Sequence, residues 1–156
     1  MEIKIFKREK RNLLVCTKQD GSFEKSDLGP NTPIHDLAHF IVESYFGLKQ
    51  GFFGNIYQGY SVSELSTKEI IRTLPIESLV SELLARTLQS LWSGACTDHE
   101  FQVLIQSEFR IYSISYPLEI SNEDVWELYL QYDDLVSRWN RLKEGDHIVL
   151  EFSVTV

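Results

Sequence analysis

An α+β architecture, with an N-terminal β-hairpin and a C-terminal strand packed with three to five helices, is expected from three features of this 156-residue chain. Apolar residues alternate at both ends of the sequence, two long apolar stripes repeat at helical spacing between them, and 43% hydrophobic residues are enough for a single core. One globular domain, residues 1–156, is therefore expected.

At the N-terminus Ile3 and Ile5 with Phe6, then Leu13, Leu14 and Val15, flank the polar residues 9–12 and read as a hairpin. Gln19-Asp20-Gly21-Ser22 is a further turn signal, so Phe23 begins a short third strand before Gly29-Pro30. Thr32 is the expected N-cap of a helix with Pro33 at its first position, where a missing N–H costs nothing. That helix runs to Phe46 and stops at Gly47. Residues 47–61 hold four glycines and four aromatics. They suit an irregular, Ω-like connection packed by its own rings, or a lid that touches a ligand.

Ser66 to Glu69 has the spacing of a capping box for a short helix ended by Pro75. From Ile76, Leu79, Val80, Leu83, Leu84, Thr87, Leu88 and Leu91 form a core stripe that ends near Gly94. Thr97 caps a segment in which Phe101, Leu104 and Ile105 favour a helix, although Phe101, Val103 and Ile105 also permit a strand. Ser121 to Asp124 caps the strongest helix, with Val125, Leu128, Tyr129, Tyr132, Leu135, Val136, Trp139 and Leu142 on one face. Gly145 is the expected stop, and His147 to Val154 alternates as a strand that pairs with the N-terminal hairpin.

Charge limits function. The chain has 15 Lys and Arg against 23 Asp and Glu, a net charge of −8, which opposes binding to nucleic acid. No apolar run approaches the roughly 20 residues that span a bilayer, so no membrane partner is expected. The basic start, Lys4, Lys7, Arg8, Lys10 and Arg11, lacks the apolar stretch of a secretory signal, so a cytoplasmic location is expected. Cys16 and Cys96 have no zinc-cluster or disulfide-framework spacing.

One constellation carries chemistry. With His35 at 0° and about 100° per residue, His39 falls near 40°, Glu43 near 80° and Asp36 near 100°, a polar stripe on an otherwise apolar helix. Two imidazoles four residues apart can meet one ion at about 2.0–2.1 Å, with a carboxylate one turn on as a further ligand. His35, His39 and Glu43 have that spacing, and an N/O donor set of this size favours zinc. His35-Asp36-Leu37-Ala38-His39 resembles the zincin metallopeptidases, whose helix carries His-Glu-x-x-His. The resemblance covers five residues and implies His35 and His39 as ligands and Asp36 as the catalytic base, with aspartate where the family has glutamate. A third ligand would come from downstream, where Glu64, Glu69 and Glu77 are available. The function expected on this basis is a small metal-binding protein, a zinc-dependent hydrolase.

Weaker candidates are Cys96, Asp98 and His99 as a second metal cluster and Cys16 as a nucleophile. Asp133 and Asp134 point about 100° apart and form no dyad. A different class, a non-enzymatic binding or assembly module, would use the aromatic and glycine-rich segment 46–60 together with Trp92, Trp126 and Trp139, of which Trp126 lies off the main stripe.

Overall fold

A computed structural model describes residues 1–154. Four strands, β1 (Glu2–Phe6), β2 (Asn12–Thr17), β3 (Phe23–Leu28) and β4 (His147–Glu151), form an antiparallel sheet in the order β3-β2-β1-β4. The expected α+β class is thus present, and the C-terminal strand does pair with the first one. Ile3 lies opposite Cys16 and Leu150, and Ile5 opposite Leu14 and Ile148. These six side chains are buried on one face, as a two-residue period requires. The N-terminal ammonium donates to the Phe152 carbonyl at 2.7 Å and fixes the register of the two chain ends. β3 forms one edge and carries Glu24, Lys25 and Asp27, charges that discourage pairing with another chain.

Six helices follow β3: α1 (Thr32–Phe46), α2 (Phe52–Gln58), α3 (Lys68–Ile71), α4 (Ile76–Ser93), α5 (Asp98–Ile111) and α6 (Asn122–Arg141), with a 3₁₀ turn at Glu64–Ser66. Leu37, Ala38, Ile41 and Val42 of α1 share one core with the sheet, with Val80, Leu84 and Leu88 of α4, and with the α6 stripe. Val125, Leu128, Tyr132, Leu135, Val136 and Trp139 are all buried. The Ser121 capping box forms with Asp124. Asp124 also accepts from the Tyr45 hydroxyl at 2.7 Å, tying α1 to α6. The segment after Thr97 is a helix: Phe101 and Ile105 are buried while Val103 is 58% exposed, a pattern a strand would not give.

Five local expectations differ from the structure. Asn31, not Thr32, is the N-cap of α1, because the Thr32 amide donates to the Gly29 carbonyl at 3.3 Å and the turn starts earlier. Within residues 47–61, Phe52–Gln58 is helical, with Phe53 and Ile56 in the core. The Ser66 box is not formed, since its hydroxyl donates to the Val62 carbonyl at 2.9 Å and Thr67 occupies the N-cap of α3. α6 gives way to extended backbone at Leu142, ahead of Gly145, whose φ of +91° serves the turn into β4 instead. β4 ends at Glu151, although Phe152 beyond it is still buried and its amide donates to the Met1 carbonyl at 2.8 Å.

Candidate metal centre

α1 packs along α4, which places the polar stripe of α1 against Ser81, Glu82 and Gln89. The Nδ1 atom of His35 lies 2.6 Å from Gln89 Oε1, and a carbonyl oxygen only accepts, so Nδ1 carries the proton. His39 Nδ1 lies 3.1 Å from Glu43 Oε1 and 2.9 Å from Ser81 Oγ. Ser81 Oγ itself donates to Glu43 Oε1 at 2.8 Å, so the Nδ1 proton of His39 is likewise held by acceptors. Both Nε2 atoms are thereby turned toward the same point.

Glu82 Oε2 completes that point. It lies 2.9 Å from His39 Nε2 and 3.3 Å from His35 Nε2, and the two nitrogens are 3.2 Å apart. An ion bound tetrahedrally at about 2.0–2.1 Å would separate its donors by about 3.3–3.4 Å, close to this triangle. His35, His39 and Glu82 are the group whose ligand atoms fall within 4.8 Å of one another among the described residues. His39 and Glu82, though not His35, also line a cavity of about 460 Å³.

Glu43, expected beside the histidines, instead stands behind His39. Its side chain is fully buried, and it accepts from the amides of Phe52 at 2.6 Å, Phe53 at 3.0 Å and Gly54 at 3.2 Å. Those are the first three amides of α2, so a carboxylate nine to eleven residues upstream caps this helix and at the same time fixes the His39 ring. A Cβ at Gly51 would fall on the Glu43 carboxyl, which explains a glycine at that position.

Asp36 is buried, with no hydrogen bond to Oδ2. Burial raises its pKa to about 7, against the opposing pull of His39 and His35. After burial itself, the charge of Asp36 is the next influence that lifts the Cys16 thiol to about 12, so Asp36 is in electrostatic reach of β2 and outside the donor triangle. At that value Cys16 is a poor nucleophile.

Burial opposes charge on His39, but hydrogen bonds to Glu43 and Glu82 outweigh it and raise its pKa to about 9. The Glu82 bond likewise raises His35. For Glu82, burial is outweighed by its bonds to His35 and His39, which hold the carboxyl well below the usual range. One acidic residue thus serves both imidazoles.

The other candidates separate. Glu77 accepts from the Lys49 and Gln50 amides and, at 2.7 Å, from the Tyr116 hydroxyl. Glu64 accepts from the Ser61 amide at 2.8 Å within its own turn, and Glu69 is exposed. Cys96 is buried while Asp98 and His99 point to solvent. His147 is exposed beside Phe6, and Asp133 accepts from the Trp92 indole at 3.0 Å. Trp139 is buried beneath Lys7, whereas Trp126 is 58% exposed and stacks on Tyr129.

Glu82 and Gln89 are the residues that the single-helix pattern of α1 does not contain. A signal for them exists in α4: Ser78, Glu82, Ala85 and Gln89 recur at steps of three and four and mark a stripe without large apolar side chains beside the leucines. No family model matches the chain, and no curated protein or solved structure matches it.

Proposed function

We propose that this chain is a small cytoplasmic metal-binding protein in which His35, His39 and Glu82 hold a divalent ion, zinc by preference, and that it acts as a metal-dependent hydrolase. The observation that carries the reading is the convergence of His35 Nε2, His39 Nε2 and Glu82 Oε2 while both Nδ1 atoms are held by protein acceptors. Catalytic zinc sites combine three protein donors with one open position, and a His-His-carboxylate set beside a cavity meets that description. Such an ion supplies Lewis-acid activation of water or of a carbonyl. Glu43 and Gln89 orient the imidazoles, and Asp36 acts on them by charge through the helix. The likeness to the His-Glu-x-x-His helix extends to the histidine pair, with Glu82 of α4 as the third donor. Two cysteines that are buried and unpaired suit a reducing compartment.

A second reading, a binding or assembly module, is favoured by the exposed Trp126–Tyr129 stack and by Leu130, 42% exposed one turn beyond Trp126. Zinc titration of chelator-stripped protein beside the His35→Ala/His39→Ala variant decides between them. The first reading expects one equivalent bound by the parent and at least hundredfold weaker binding by the variant. Equal affinity, or no binding by the parent, leaves the module reading ahead.

A further inference from the structure

The cavity that His39 and Glu82 help to line has a composition of its own. Phe52 of α2, Leu65, Ile71 and Leu74 of the connection, and Ile76 and Leu79 of α4 make most of its wall. Ile71 and Ile76 are 50% and 44% exposed, so an apolar rim is left in water at its mouth. At about 460 Å³ the space lies in the lower part of the roughly 300–1,000 Å³ range of small-molecule sites, too small for a folded partner.

The polar groups in this wall are few and mostly engaged. Asn55 Nδ2 donates to Ser78 Oγ at 2.9 Å and to the Gln50 carbonyl at 3.2 Å, and Ser78 Oγ donates to that same carbonyl. His39 and Glu82 belong to the metal position. Arg72 is the remaining charged residue, and among the described residues its guanidinium makes no ion pair, with Glu82 or any other acid. An unpaired guanidinium at the edge of an apolar cavity matches a carboxylate in charge and in planar geometry.

We infer that the metal centre takes a small amphipathic molecule: a metal-ligating carbonyl-type group at His35, His39 and Glu82, an aliphatic body along the Phe52–Leu79 wall, and an anionic end on Arg72. This inference rests on the metal reading above. It deepens that reading by excluding two other substrate classes, polar sugars and bulky polypeptides. The aliphatic body gains by leaving water, and the carboxylate selects the orientation.

The test uses zinc-loaded full-length protein, titrated calorimetrically with the monohydroxamate of octanedioic acid, with octanohydroxamate and with acetohydroxamate. Zinc stoichiometry is measured on the same samples. Both eight-carbon probes should bind at least tenfold more tightly than acetohydroxamate. Arg72→Gln, a change at an exposed residue, should weaken the carboxylate-bearing probe at least fivefold and leave octanohydroxamate unchanged. Absence of bound zinc would overturn the metal reading and this inference together. Zinc bound with acetohydroxamate equal to the longer probes would overturn the inference alone. So would an Arg72→Gln variant that binds all three as the parent does.

Discussion

Replacing Glu43 by glutamine tests the most consequential rearrangement between the expected and the observed centre. Glu43 Oε1 receives the Phe52 amide, the Ser81 hydroxyl and the His39 ring, and Oε2 receives the amides of Phe53 and Gly54. A glutamine keeps the shape but presents an NH₂ group in place of one oxygen. In its less costly orientation the NH₂ faces the Phe53 and Gly54 amides and leaves two buried donors without acceptors, at about 1–3 kcal/mol each. Lost charge at the start of α2 adds about 0.3–2 kcal/mol, while a neutral amide is cheaper to bury than a carboxylate. The net destabilisation of metal-free protein should be about 2–4 kcal/mol. Urea melts should show it as a lower midpoint with an unchanged slope. Zinc affinity should fall about 10–100-fold, the size of effect expected from a residue that orients a ligand. A stability change below about 0.5 kcal/mol would refute the capping argument, because a buried cap with five donors cannot be silent.

Three further outcomes are expected. Leu135→Ala should cost about 2–5 kcal/mol in denaturant melts, since Leu135 is 3% exposed within the α6 stripe; a cost below about 0.5 kcal/mol would remove α6 from the core. Asp36 has a folded pKa of about 7, above its ordinary carboxylate value, so its stabilising share is complete below that ordinary value and is lost as pH rises through 7. The stability of Asp36→Asn relative to metal-free parent should therefore climb by about 3–4 kcal/mol from pH 4 to pH 8, and parallel pH profiles would contradict the assignment. A bound zinc would have to displace the His39 proton, held with a pKa of about 9, and, below the raised pKa of His35, a second proton, so affinity should rise at least tenfold per pH unit between pH 6 and 8. A plateau above pH 7, as an unperturbed imidazole would give, would show that Glu43 and Glu82 do not hold that proton.

The residues of α1 show how far sequence alone reaches. Helical geometry fixes His35 and His39 on one face whatever surrounds them, because their separation is four residues along one backbone. The α6 stripe, its Ser121 cap and the alternation in β1, β2 and β4 are equally local, and each follows from a periodicity that the chain carries in itself. Contacts between distant segments are different. Glu82 comes to the histidines 43 residues after His39, through the packing of α4 on α1, and no spacing rule along one helix selects it over Glu64, Glu69 or Glu77. The same physics reassigns Glu43: it lies on the expected side of α1, but its carboxylate stands behind His39 and is taken by the amides of α2. That capping also explains why Phe52–Gln58 is helical despite Gly54, since the stabilising carboxylate lies outside the segment. Local periodicity thus set the elements and two of the three converging groups, while desolvation and hydrogen-bond satisfaction between elements decided which carboxylate joins the histidines and which holds the scaffold.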